Sequence, residues 1–198
     1  MPRNQDDLLI GGFGQLPQNV DATGRIIRDK NPPLPTRKPE TISPTAKGNA
    51  LLDFIGKLES SDNYNVLVGG EKASLTKMTV KEVQELQRER KKKRLGTPAG
   101  RYQIKDEKLN DLVRWMGINE NEIFDEKLQD QMGRELLRRR GFEKFKSGEI
   151  NTKEFIRHLA KEWAALPKDE TNESHHKGKS NNKALTTFEK LRELLEKD

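Results

Sequence analysis

Cysteine is missing from this chain of 198 residues, tryptophan and tyrosine occur only twice each, and 31% of positions are hydrophobic. Without thiols there is no disulfide framework and no thiolate nucleophile, so the fold is indifferent to redox compartment. Long apolar runs are lacking too: nothing approaches the roughly eighteen consecutive apolar residues of a membrane span. The first residues have neither the basic start nor the apolar stretch of a secretory signal. A substrate outside the cytoplasm would have to be reached by a route that other components provide.

What is abundant is charge. Charged residues make up 35% of the chain, with 38 Lys and Arg against 32 Asp and Glu, a formal net charge of +6. Such a surface attracts polyanions by steering, and both nucleic acid and an anionic bacterial envelope qualify. Two basic runs stand out, Arg88 to Arg94 and Arg138-Arg139-Arg140. Nucleic-acid binding would want aromatics interleaved with these bases for stacking, and only Tyr102 lies near. Both runs therefore read as solvated helix faces, nucleic acid is not the expected partner, and neither is a membrane.

The length suits one compact domain with a tail. Residues 1–45 differ from the rest, with Gly11, Gly12 and Gly14 early and Pro32, Pro33, Pro35, Pro39 and Pro44 close behind. Closely spaced prolines exclude helix and favour extended geometry, so the segment reads as a tail or semi-rigid linker. Its small patch of Leu8, Leu9, Ile10 and Phe13 is a possible docking peptide.

Residues 46–198 carry the periodicity of a folded domain. Leu51, Leu52, Phe54, Ile55 and Leu58 recur at helical spacing and deliver Glu59 to the end of the run. Tyr64 to Val68, then Gly69-Gly70, then Ala73 to Met78 predict a short twisted hairpin. Thr79 with Glu82 forms a capping box for a helix through Val83 and Leu86, which Gly96 to Gly100 must stop. Asp106 and Asp125 each cap a helix, the second ending at Gly141. Asn151 with Glu154 opens another, carrying Phe155, Ile156, Leu159, Trp163 and Leu166 up to Pro167. Thr186 with Glu189 opens the last, with Phe188, Leu191, Leu194 and Leu195. The expected class is α+β and mainly helical, with a small β-hairpin subdomain beside a substrate cleft.

Few residues here invite chemistry. Most Glu side chains are only surface, and the helix macrodipole disfavours an acid at a carboxyl end. The same position, beside apolar Phe54 or Leu58, favours the protonated form, which is what a proton donor requires. Trp163 and Trp115 fall at core spacing rather than at a sugar-stacking platform. His175-His176 lacks a third ligand and reads as polar loop, so no metal and no cofactor are expected.

The stretch Glu59-Ser60-Ser61-Asp62-Asn63-Tyr64-Asn65 is followed by Gly69-Gly70, by Thr79 with Glu82-Val83 and Gln87, and by Thr97-Pro98-Ala99-Gly100-Arg101-Tyr102-Gln103. Further on comes Leu159-Ala160-Lys161-Glu162-Trp163-Ala164-Ala165-Leu166-Pro167. In order and spacing this resembles the lambda-type phage lysozymes from about Asn49 to the last helix, although His175-His176 stand where that family tends to carry Tyr.

The resemblance implies a lysozyme-like fold and lytic transglycosylase activity on bacterial peptidoglycan. The bond cleaved joins N-acetylmuramic acid to N-acetylglucosamine, and an anhydro end is left. Glu59 would be the catalytic residue, with Tyr64, Asn65, Arg101, Tyr102 and Gln103 lining the substrate groove. For Tyr102 a packing role stands level with that, and for Arg101 a structural ion pair is the better reading. A hydrolytic lysozyme usually needs a second carboxylate. Val68 and Ser74 occupy the positions where a T-even phage lysozyme pattern would place Asp and Thr, and Asp62 and Glu71 remain as candidates.

The expected setting is a phage enzyme carried on the virion tail through residues 1–45, or released from host cytoplasm through a holin-type lesion, that acts in the periplasm or cell wall. Two alternatives stand beside it: a hydrolytic muramidase endolysin, and an inactive glycan-binding virion protein.

Overall fold

A computed structural model describes residues 45–178 and 183–197. The expectations for the tail and its docking peptide lie outside the described residues. Seven α-helices make up the described chain: α1 (Ala46–Ser60), α2 (Val80–Lys92), α3 (Asp106–Met116), α4 (Glu126–Arg139), α5 (Phe142–Lys146), α6 (Thr152–Ala160) and α7 (Phe188–Glu196). The element α1 packs against α4 and α7, α2 against α3, and α6 against α5 and α7. Between them lies one core, in which Ile55, Leu75, Val83, Leu112, Met132 and Phe155 are fully buried. Each such side chain contributes roughly 1.5–3 kcal/mol on leaving water.

Most helix starts follow their expected caps. The Thr79 hydroxyl accepts from the Glu82 N–H at 3.2 Å while the Glu82 carboxylate accepts from the Thr79 N–H at 2.7 Å, a reciprocal box at the start of α2. Asp125 and Asn151 likewise accept from Leu128 and Glu154 N–H groups. Others shift by a residue. Lys105, not Asp106, is the cap position of α3, because the Asp106 carboxylate is turned toward the Thr97 hydroxyl (2.9 Å) and the Lys91 ammonium (2.8 Å). Thr187 rather than Thr186 caps α7. The run expected to reach Leu166 ends as helix at Ala160 and continues as turns to Pro167.

The hairpin is the main correction. Among the described residues there is no sheet, only isolated bridges, including Val66 with Lys72, Leu67 with Ala99, and Ala99 with Ile104. Gly69 and Gly70 reverse the chain with φ of 81° and 84°, a region closed to most L-residues. The Val68 N–H then turns away to the Pro98 carbonyl (3.0 Å). Where a second strand was expected, Leu75–Lys77 winds into a 3-10 turn. The Asn65 side-chain oxygen drives this by accepting from both the N–H (2.9 Å) and the hydroxyl (3.1 Å) of Thr76. A side chain that satisfies backbone donors competes with ladder pairing, so the class is mainly helical rather than α+β.

Candidate functional site

The last turn of α1 carries Glu59, and the way that helix ends sets where the carboxylate goes. Ser61 and Asp62 both adopt left-handed backbone, with φ of 56° and 63°. Their N–H groups return to the Lys57 and Gly56 carbonyls at 3.1 Å each, closing the helix end. Two consecutive non-glycine residues in that region cost on the order of 1–2 kcal/mol apiece. Such a turn persists only where its surroundings hold it.

Those surroundings begin with Arg101. Its guanidinium donates to Asp62 Oδ1 from Nε (3.2 Å) and Nη2 (2.8 Å), and to Asp53 Oδ1 from Nη2 (2.8 Å). From Nη1 it donates to the hydroxyls of Tyr64 (3.1 Å) and Tyr102 (2.9 Å). Both phenols in turn donate to Asp130 Oδ1 on α4, at 3.0 and 2.7 Å. The guanidinium also lies over both rings, 5.2 and 5.4 Å from their centroids. Arg101 is 8% exposed and Tyr102 2%.

Proton affinities follow from this packing. Burial alone would lower that of Arg101, but the bonds to Asp53 and Asp62 raise it further. Burial and the bond to Asp130 push Tyr64 up to about 12, and Tyr102 is raised by the same causes. Close approach is built into the neighbours as well. A Cβ at Gly56 would lie 2.6 Å from Arg101 Nε, and one at Gly133 would lie 2.9 Å from the Tyr102 ring.

Glu59 lies apart from this knot. It is half-buried, and its Oε1 accepts from the Ala165 N–H at 3.1 Å, on the turn after α6. Burial pushes its carboxyl above the ordinary value, against the Ala165 N–H and the nearby Lys105 charge, which both favour the ionised form. A carboxyl so placed is available to give a proton and to accept one.

The remaining expected site residues are placed differently. Asn65, whose oxygen holds Thr76, lines a recess of about 450 Å³ together with Asn63, Lys72, Ser74 and Lys77. Gln103, at φ 48°, donates to the Gly100 carbonyl (2.9 Å) and to Val66 (3.5 Å), and so braces the loop. The loop is stapled from below by Gln87, whose amide donates to the Thr97 and Ile104 carbonyls at 2.8 Å. Thus Tyr64, Arg101 and Tyr102 come together, while Glu59, Asn65 and Gln103 occupy separate positions around them.

Both candidate second carboxylates are taken up by arginines: Asp62 by Arg101, and Glu71 by Arg90 at 2.7 Å. Trp163 is 2% exposed and belongs to the core. The basic runs are largely paired, Arg90 with Glu71, Lys91 with Asp106 and Glu107, and Arg138 and Arg139 with Glu135. Among the described residues no group of three or more His, Cys, Asp or Glu side chains could hold a metal ion, and no helix is long and apolar enough to cross a membrane. Sequence reasoning missed Ala165, Lys105, Asp53 and Asp130. Only Ala165 had a signal, since it lies in the Trp163 to Pro167 stretch that carries part of the resemblance.

A family model described as Endolysin matches residues 51–190, most of the described domain. The chain belongs to the endolysin family. It is therefore a phage cell-wall-degrading protein of lysozyme type, with peptidoglycan as substrate. The match begins within α1, eight residues before Glu59, and ends within α7, so it takes in every residue of the site described above. No curated protein and no solved structure matches the chain.

Proposed function

We propose that this endolysin-family chain is a lytic transglycosylase in which Glu59 serves as both acid and base. The observation that carries the reading is the isolation of one carboxyl with raised proton affinity, while Asp62 and Glu71 are committed to arginines. In the first step protonated Glu59 gives its proton to the glycosidic oxygen leaving from C1 of N-acetylmuramic acid. The C1–O bond breaks, the sugar's own 6-hydroxyl oxygen bonds to C1, and the carboxylate takes back the hydroxyl proton. The products are a free N-acetylglucosamine 4-hydroxyl and a 1,6-anhydro end, with no water consumed. A hydrolytic lysozyme would need a further carboxylate to hold water or form the glycosyl intermediate.

In this reading the fold is lysozyme-like, and Tyr64, Asn65 and Gln103 border the glycan groove. Arg101 and Tyr102, whose polar atoms are engaged within the protein, form its inner wall and hold the Glu59 turn. Residues 1–45 would carry the enzyme on the virion tail, a role supported by the proline spacing between Pro32 and Pro44.

The test is mass spectrometry of purified peptidoglycan after digestion by the wild type and by Glu59→Gln. Anhydro ends from the wild type alone bear the proposal out. Reducing ends would instead assign a muramidase, and release of neither, with retention on cell wall, a binding protein. For the tail, the chain should be found in purified particles and lost from them when residues 1–40 are removed; presence only in lysate supernatant would overturn that part.

A further inference from the structure

The recess beside Asn65 is lined by amide and hydroxyl groups and by two ammonium groups, with no carboxylate among its lining residues. We propose that it is a subsite for the carboxylates borne on the muramyl side arm of the substrate, gripped by Lys72 and Lys77. The inference rests on the peptidoglycan reading above and adds which part of the substrate this region recognises.

Charge pairing separates these two lysines from most cations of the basic runs. In the run from Arg88 to Arg94 only Lys93 and Arg94 share their lack of an ion pair among the described residues, whereas the others have acidic partners, as with Arg88 and Glu85, Arg90 and Glu71, Lys91 and Asp106, and Lys92 and Glu89. Lys72 and Lys77 are exposed, and neither ammonium group has an ion pair or hydrogen bond among the described residues. Asn63 and Asn65 use their side-chain oxygens internally, toward the Asn65 N–H (2.8 Å) and toward Thr76. Their amide N–H₂ groups are left as donors. A concavity offering ammonium, amide and hydroxyl donors suits an anionic, oxygen-rich ligand.

Position supports the same reading. The Asn63 N–H donates to the Ser60 carbonyl (3.2 Å) and hydroxyl (3.1 Å), so the edge of the recess lies one hydrogen-bonded turn from the residue next to Glu59. A stem peptide reaches roughly 3.3–3.6 Å further per extended residue. A side arm leaving a sugar held at Glu59 is therefore long enough to span to this recess within its first few residues. Lactyl and stem-peptide carboxylates share one chemistry here and are separated by the substrates used.

The experiment compares wild type with Lys72→Ala/Lys77→Ala on three glycan substrates: intact strands, strands trimmed to the lactyl carboxylate by an amidase, and strands whose carboxylates are chemically amidated. On intact strands KM should rise about fivefold in the double variant, kcat should hold, and the difference should shrink with added salt. On amidated strands the two proteins should match. On trimmed strands, where the amidase has freed the lactyl carboxylate from its amide bond, a KM rise as large as on intact strands shows that the lysines accept that carboxylate as well, and a rise confined to intact strands assigns the carboxylates of the stem peptide. No change on intact strands, or an equal rise on amidated ones, overturns the proposal. Should the wild type release no fragments at all, the peptidoglycan-cleaving reading itself has failed. Should it release them while the variant is indifferent, only this inference has.

Discussion

Two polar centres flank the carboxyl end of α1, and they are built on opposite plans. Around Arg101, three carboxylates and two phenols share one guanidinium, and donors and acceptors are matched. At Glu59 a single carboxyl is half-buried with one backbone N–H for company. Burial costs a charged group heavily unless partners compensate it. The first centre is compensated and fixes geometry; the second is left under-compensated, and its proton is held more tightly as a result. A group that must alternate between protonated and ionised forms requires the second plan.

Removing Glu59 should have the largest effect on activity and little on folding. Glu59→Gln keeps an acceptor for the Ala165 N–H but has no proton to give. Release of glycan fragments should fall by about 10²–10⁴-fold, with a thermal midpoint equal to or above that of the wild type because a buried charge is gone. A collapse of the melt alongside activity would instead place Glu59 with the structural charges.

Arg101→Met should do the reverse. It leaves Asp53, Asp62 and Asp130 without their shared cation and takes away the bonds that hold the left-handed turn. Breaking a buried ion pair costs roughly 3–5 kcal/mol. Asp53 and Asp62 are partly exposed, with side-chain exposures of 57% and 36%. Solvent therefore absorbs some of the loss, and about 3 kcal/mol is expected, a midpoint drop of about 6–12 °C for a domain of this size. Calorimetry checks it. Activity should fall as well, in proportion to how far the turn moves Glu59.

Gly56→Ala probes the contact between α1 and that cluster. The added methyl would meet Arg101 Nε at 2.6 Å and Asp62 Oδ1 at 2.9 Å, atoms pinned by their own bonds. Overpacking of roughly 1–3 kcal/mol is partly offset by about 1 kcal/mol of helix propensity, which leaves about 1 kcal/mol of net destabilisation. In an Arg101→Met background the Nε contact is gone and Asp62, released from the guanidinium, can give way, so the same substitution should turn neutral or stabilising. Additive effects in that double-mutant cycle would show that the two residues are not coupled.

The difference between the two centres also explains what could be read in advance. Helices were legible wherever apolar spacing met a cap, as at Thr79, Asp125 and Asn151, because both signals are local. The short α5 was missed. Gly141, expected only to end α4, also turns the chain at φ 91° into Phe142–Lys146, a piece too short to show a period. The hairpin failed because a side chain, Asn65, took backbone donors that pattern reasoning assigned to a ladder. At the site, Glu59 and Arg101 were visible as residues of the lysozyme-like stretches. Their partners Asp130, Asp53 and Lys105 were not, since long-range contacts leave no spacing in the chain.

The slightest effect, a slope rather than a drop, should come from pH. Glu59 binds its proton more tightly in the folded protein than in the unfolded chain. Below the ordinary carboxyl value both states are protonated and the group contributes nothing to pH dependence. Between that value and the raised folded one the folded state holds more protons, so stability falls as pH rises, and above the folded value the loss is complete. Other carboxylates bend the curve the opposite way: the folded value of Glu135 is depressed because, although burial raises it, Arg138 and Arg139 more than compensate. The Glu59 contribution therefore has to be read as the difference between wild type and Glu59→Gln, measured by denaturant unfolding from roughly pH 4 to pH 7. The variant should gain on the wild type as pH rises from the ordinary carboxyl value to the raised folded one, and wild-type kcat/KM should fall as pH passes that folded value and the acid form is depleted. Parallel stability curves would mean that Glu59 is solvated like any surface carboxylate, and the contrast with the Arg101 cluster would vanish with it.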